Sequence, residues 1–289
     1  MPAPARAAAV LALLLNAFTW GLSWWPLRRL QAAGVHPLWA TVLVYVVALA
    51  VILAWRPGAL AHALRAPSLW WLVLASGATN AAFNWGMAIG DVVRVVLLFY
   101  LMPLWAVLLA RLLLGEPLSA RALVRVALAL AGAAVVLWPA GGGWPLPQAL
   151  AEWLAVIGGA SFALNNVLLR REAAQPEEAR ALAMFAGGAL VAGVLALALA
   201  AEGVVNPLPA PAPGWLAGTF GLALWFLFGN LALQYGAARL PANATAVVMI
   251  TEVLFASTSA VLLGAGTLTP ALVLGGGLIV GAALSAARG

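Results

Sequence analysis

Stretches of about 20 mostly apolar residues, the length a helix needs to cross a hydrocarbon core, follow one another along this chain with only short breaks at Pro, Gly and charge clusters. The spacing predicts ten helices, over residues 7–29, 37–55, 67–89, 92–114, 119–138, 148–170, 178–201, 214–237, 242–263 and 270–287. The longest polar connections are GGGWPLPQ, RREAAQPEEAR and NPLPAPAPG, none of which holds a soluble domain. Of the 289 residues, 65% are hydrophobic and 8% charged, far from the composition of soluble domains. The expected fold class is all-α: a polytopic membrane protein in a lipid bilayer.

All fourteen basic residues are arginine and the formal charge is +6. In a soluble domain such a balance would suggest nucleic acid; scattered at span ends, the arginines read as orientation signals, and no nucleic-acid partner is expected. With a cytoplasmic N-terminus, Arg6, Arg56, Arg65, Arg111, Arg121, Arg125, Arg170, Arg171, Arg180, Arg239 and Arg288 lie inside, against Arg28, Arg29 and Arg94 outside. Both termini are therefore expected in the cytoplasm. Arg6 and the apolar run after it mimic a secretory signal, but no small-x-small cleavage site follows the run, so residues 7 onward are expected as a retained first helix. Cysteine is absent, and His36 and His62 read as interfacial loop residues; no metal site and no cofactor are expected.

Internal repetition is visible. "NAAFNWGMA" from Asn80 matches "NLALQYGAA" from Asn230, which aligns Asn84 with Gln234, Trp85 with Tyr235 and Gly86 with Gly236 at an offset of 150. The same offset sets Leu118-Ser119 on Leu268-Thr269. A second echo, at an offset of 142, sets Trp20 on Phe162, Ser23 on Asn165 and Arg28-Arg29 on Arg170-Arg171. Two five-helix halves are expected, 1–140 and 141–289. Because five is odd, the second half starts on the opposite membrane face and the 5+5 repeat is inverted, the architecture of secondary transporters.

Polar side chains within a bilayer usually face a pathway or a partner helix. In span three Asn80 and Asn84 share a face with Met87, and span eight repeats the pattern with Asn230 and Gln234. Their amides suit either recognition of a carboxylate or ammonium group or hydrogen bonding between helices. Span one adds Asn16, Trp20 and Ser23; span six adds Phe162 and Asn165 with Asn166, of which at most one asparagine points inward. In span nine Thr245, Glu252 and Ser259 recur every seven residues, and Glu252 is the one acid near the middle of any expected span. It can exchange a proton, act as counter-ion to a substrate ammonium, or make a buried contact with Thr251 or an asparagine. Tyr100, Met102 and Trp105 surround Pro103, where a hinge is expected because proline permits a kink. Spans five and ten carry few polar residues, and Gly277 and Gly281 suit close helix packing. Arg94, three residues after Asp91, is expected to form an ion pair with it or to stand at a cavity mouth. Trp25, Trp39, Trp70, Trp71 and Trp215 read as interfacial anchors.

"TWGLSWWPLRR" in span one, "YLMPLWAVLLARLLLGEPLS" across span four, and "ITEVLFASTSAVLLGAGTLT" with "GGGLIVGAALSA" across spans nine and ten resemble the EamA-type drug/metabolite transporter superfamily, most of all its bacterial (aromatic) amino-acid exporters. The resemblance implies ten helices in a basket, with one, three, four, six, eight and nine lining a central cavity and five and ten as outer supports. The Gly115-Glu116 end of helix four is answered by Ala265-Gly266, without an acid, and the expected Glu-Pro of helix nine reads Glu252-Val253. No phosphate loop is present, since GGG at 141–143 lacks the lysine and the following helix. Neither histidine and no two carboxylates share a span core, so an enzyme is not expected. The expected function is export of amino acids or similar small metabolites across the bacterial inner membrane by alternating access, as a monomer or weak homo-oligomer. Drugs or nucleosides are the alternative cargo, and a membrane enzyme or channel the alternative class.

Overall fold

The computed structural model describes residues 3–115, 120–138, 144, 146–172, 174–237, 239, 248–249 and 251–287, and every regular element among them is helical. The first expected span is divided into α1 (Ala3–Leu22) and α2 (Trp24–Ala32). The cause is covalent: Pro26 has no N–H for the Leu22 carbonyl, and in an unbroken helix its ring would collide with that carbonyl. The chain turns at Ser23, whose N–H and hydroxyl both donate to the Trp20 carbonyl, at 3.2 and 2.7 Å. The same rule divides the fourth span. There α6 (Val92–Phe99) stops four residues before Pro103, and α7 (Met102–Leu114) resumes after a turn at Tyr100 and Leu101.

Two helix starts carry their own signal. Asp91 caps α6 by accepting from the Arg94 N–H at 2.9 Å, and His36 caps α3 (Pro37–Trp55) by accepting from the Leu38 N–H at 3.2 Å, with Pro37 at the first position. The segment RPGALAHALR, expected as a loop, contains the helix α4 (Gly58–Arg65). The remaining helices are α5 (Leu69–Ile89), α8 (Ala120–Leu137), α9 (Leu150–Arg171), α10 (Glu177–Ala201), α11 (Pro213–Ala237), α12 (Thr251–Leu262) and α13 (Pro270–Ala287). Gly115 after α7 and Gly264 after α12 have φ of 69° and 70°, the left-handed helix stop that glycine adopts freely. By conformation Gly115 is therefore answered by Gly264, not by Ala265, and Gly264 is again followed by a residue without an acid.

Among the described residues, six stretches are long and apolar enough to cross a membrane: Ala7–Ala32, Pro37–Trp55, Val92–Leu113, Leu150–Leu169, Glu177–Ala201 and Pro213–Leu233. Val126–Leu137, Thr251–Leu262 and Pro270–Ala282 are shorter apolar helices. α5 is long enough, but Ser76, Thr79, Asn80 and Asn84 dilute its apolar character. Leu11, Val46, Leu112, Val194, Leu197, Leu254 and Leu274 lie exposed, whereas Asn16, Thr41, Asn84, Asn165 and Glu252 are buried. A shell this apolar around polar side chains is what a lipid solvent selects. The chain is a polytopic membrane protein.

α5 packs on α9 and α10, α3 on α10 and α11, and α1 on α11 and α12; α6 and α7 lie on α9, α6 on α12, and α8 on α13. Small residues set the closest crossings. A Cβ on Gly187 would lie 2.1 Å from the Val73 carbonyl oxygen, which holds α10 against α5. α8 meets α13 through Gly132 and Gly275, where either Cβ would come within 2.6 Å of the other residue's carbonyl oxygen. Gly277 and Gly281, expected to suit close helix packing, have no described atom within 4 Å of where a Cβ would stand. Their spacing defines a stripe, but the stripe facing α8 is the one carrying Gly275.

Candidate functional site

The amides expected on spans one, three and six turn into the interior. Asn16 is fully buried on α1, and its Nδ2 donates to the Gly229 carbonyl of α11 at 2.7 Å. Asn84, also fully buried, donates to the Thr41 hydroxyl of α3 at 3.1 Å. Asn80 is half-buried, accepts from the Tyr45 hydroxyl and donates to the Ser76 carbonyl at 2.8 Å. Both amides of α5 thus face α3, so helix-to-helix bonding accounts for much of what they do. Of the adjacent pair on α9, Asn165 is buried and Asn166 exposed. Among the described residues, the Oδ1 atoms of Asn16, Asn84 and Asn165 are buried without a hydrogen-bond partner, which leaves these acceptors open to a donor. Asn230 of α11 is half-buried; Thr245 and the side chain of Gln234 lie outside the described residues.

A run of rings links both parts of the chain. Trp20 stacks on Phe226 at 4.5 Å and meets Phe83 edge-on at 6.1 Å. Phe83 lies 4.8 Å from Phe99, and Phe99 lies 5.5 Å from Phe162. Tyr45 closes the cluster against Phe226 and Phe185, at 6.4 and 5.6 Å. Half-buried Met102 packs against the same core, and Trp105, also half-buried, has an indole N–H without a partner. The side chain of Pro103 lies outside the described residues, although the backbone break it dictates is present. Trp20 and Phe162 of this cluster are legible in the sequence, whereas Phe83, Phe99, Phe226, Phe185 and Tyr45 are not. Signals existed for two of them: Phe226 stands one turn before Asn230, and Phe83 stands beside Asn84. Ser23, expected on a pathway wall, instead bonds its own helix at the break.

Glu252 is buried at the start of α12, and its partner is neither Thr251 nor an asparagine. Thr251 donates to the Val248 carbonyl at 2.6 Å, whereas the Tyr100 hydroxyl stands 3.1 Å from Glu252 Oε2 and 3.1 Å from the Met249 carbonyl. Two turns along α12, Ser259 accepts from the Trp24 indole N–H at 3.0 Å and donates to the Ala256 carbonyl at 3.1 Å.

At one end of the bundle the expected Arg94–Asp91 ion pair is replaced by another. Arg94 Nε meets Glu152 Oε1 of α9 at 2.6 Å. Asp91 is occupied as the α6 cap, and its second oxygen accepts from the Thr267 N–H at 3.3 Å. Glu152 also accepts from the Gln148 N–H at 2.7 Å, and the Arg28 guanidinium donates to the Gly90 carbonyl. The tryptophans divide as well. Trp25, Trp70 and Trp71 are exposed, as interfacial anchors require, but Trp215 is buried and donates to the Ala210 carbonyl at 3.1 Å, and Trp39 donates to the Asn206 carbonyl at 3.2 Å.

No curated protein sequence matches the chain. One crystal structure, described only as that of a protein, is similar with a TM-score of 0.60 and 22% identity, covering 97% of this chain and 96% of that one. A likeness at that identity is one of fold. A family model matches residues 7–138, and its family is the one that the motifs of spans one and four resemble. Residues 7–138 are thus similar to the EamA-like transporter family.

Proposed function

We propose that this protein is a secondary transporter that exports amino acids, aromatic or otherwise apolar ones among them, or similar small metabolites across a bacterial inner membrane. The family match supports membrane transport of a small molecule. The observation that carries the reading further is that α1, α5 and α9 each supply a buried amide oxygen without a partner among the described residues and a ring of the connected aromatic cluster. Amide oxygens accept from an ammonium group, while rings pack on apolar side chains.

Alternating access by two inverted five-helix halves, 1–140 and 141–289, is part of the proposal. The neighbour pattern supports it. Exchanging each helix for its counterpart in the other half turns the α1–α11 contact into α9–α5, the α1–α12 contact into α9 with α6 and α7, and α3–α11 into α10–α5. The contacts α3–α10, α6–α12 and α8–α13 map onto themselves. Mutual packing of α8 and α13 also fits their role as supports outside a cavity. Both termini are placed in the cytoplasm on the arginine distribution.

Uptake of labelled amino acids into proteoliposomes carrying the purified protein is the test. Accumulation above empty vesicles is expected; none across a broad amino-acid panel, with transport of a nucleoside or drug instead, moves the cargo to the alternative class. Glu252 is assigned to coupling: Glu252→Gln is expected to remove the response of transport to an imposed pH gradient. If transport ignores both the substitution and the gradient, the carboxyl group is structural.

A further inference from the structure

We propose that Tyr100 is a positioning residue that makes the break between α6 and α7 respond to the protonation of Glu252; this rests on the transport reading above. The argument is a count of hydrogens. The Tyr100 hydroxyl has one, yet its oxygen stands 3.1 Å from two acceptors, the Glu252 carboxyl group and the Met249 carbonyl. When Glu252 is ionised, the hydroxyl hydrogen goes to Oε2 and the Met249 carbonyl loses that donor. When Glu252 carries a proton, its O–H donates to the tyrosine oxygen and the tyrosine hydrogen turns to Met249, so both contacts are hydrogen bonds. Gain or loss of one proton therefore swings the Tyr100 hydrogen between two partners on the second half of the chain.

The site of that swing is the weakest point of the fourth span. Tyr100 and Leu101 form the turn between α6 and α7, and Leu101 bonds back only three residues, to Leu98 at 3.1 Å. With no N–H at Pro103, the Phe99 carbonyl has no helical donor, and it rests instead against Gly159 of α9. Of the helices packed on α12, α1 carries no titratable side chain between Ala7 and Leu22. Tyr100 follows the last residue of α6, with Asp91 and Arg94 at the opposite end of that helix, tied to Thr267 and Glu152. α2 reaches α12 through Trp24, while its Arg28 donates to Gly90 and its Arg29 lies over Trp25. Among the described residues, Tyr100 is thus the group through which a proton on Glu252 can act on the break.

The chain has no cysteine, so labels can be placed without altering other positions. Infrared difference spectra of the full-length protein in lipid, between acid and alkaline pH, are expected to show a carboxylic C=O band. Glu252→Gln removes it, and Tyr100→Phe shifts its frequency and moves its midpoint by about one pH unit, the effect of losing one hydrogen bond to a charged group. Spin labels at exposed positions 108 on α7 and 153 on α9 are expected to report a distance that changes with pH in the otherwise native protein and is constant in both variants. A Tyr100→Phe band identical to that of the unaltered protein overturns the proposal, as does a pH-independent distance in the unaltered protein. These measurements need no substrate. If they succeed while no amino acid is transported, the cargo assignment fails and the relay stands.

Discussion

Gly159 shows how much a single missing side chain decides. Pro103 strips the Phe99 carbonyl of its helical donor, and that carbonyl oxygen lies 2.4 Å from where a Cβ on residue 159 would stand. Only a bare Cα lets α9 approach the break this closely, with its Cα hydrogens available to the carbonyl. Gly159→Ala is expected to push α9 from α6 and destabilise the protein by about 1–3 kcal/mol, the range for overpacking a dense core. Gly158→Ala, whose Cβ would meet the Phe99 ring at 3.4 Å, is expected to cost less. Thermal unfolding in detergent measures both, and equal losses would refute the account. His36 offers a second test at this scale. Desolvation holds its imidazole below its ordinary range, and its Nδ1 accepts from the Leu38 N–H, which a protonated nitrogen cannot do. The contribution is therefore present above the unfolded value of about 6.5 and lost as pH falls through the lower folded value. The unaltered protein is expected to lose melting temperature across that window more steeply than His36→Asn, which keeps a capping acceptor that does not titrate.

At the scale of elements, two prolines four residues beyond a helix end account for both interrupted spans. That rule was legible: the proline at 103 marked the hinge region, and the one at 26 carries the same information for Leu22. The positions of the six stretches long and apolar enough to cross a membrane were legible too, because hydrophobic length is a property of the sequence itself. Which stripe of a helix meets its neighbour was not. Gly277 and Gly281 have the right spacing for a contact that Gly275 makes, since spacing defines a face without saying what lies opposite. Arg94 misled for a related reason. Three residues from Asp91 it looked locally paired, yet Asp91 at a helix start is better placed to accept backbone N–H groups, and Glu152 arrives only when the chain folds back. Tyr45 stayed hidden because a lone tyrosine in an apolar span shows no pattern until Asn80 is set beside it. The proline rule yields a prediction of its own. Pro103→Ala restores an N–H for the Phe99 carbonyl and is expected to join α6 to α7. Amide exchange at residues 100–104 should slow, and transport should fall roughly tenfold, equivalent to a barrier raised by about 1.4 kcal/mol. Unchanged exchange would show that proline does not maintain the break.

For the molecule as a whole, the contacts around Arg94 bear on the proposed motion of two halves. Arg94 belongs to α6 and Glu152 to α9, while Asp91 joins the start of α6 to Thr267 just before α13. Each bond crosses from the first half of the chain to the second, and together they draw the start of α6 towards two segments of the other half. If the halves rock about a central site, the end that carries this latch cannot open without breaking it. The pair is only partly shielded, at 31% and 11% side-chain exposure, so it is worth less than a fully buried pair, and breaking it should bias the conformational equilibrium rather than unfold the protein. Arg94→Glu sets two carboxylates against each other at that end and is expected to widen the distance between spin labels placed beside residues 94 and 152. Adding Glu152→Arg restores opposite charges and should return the narrow distance, although Gln148 then loses an acceptor. Cysteines at both positions, oxidised to a disulfide, are expected to stop transport until a reductant is added. Full transport by the cross-linked protein would place the moving gate elsewhere, and it would leave the Arg94–Glu152 pair as a static brace between halves that turn about another axis.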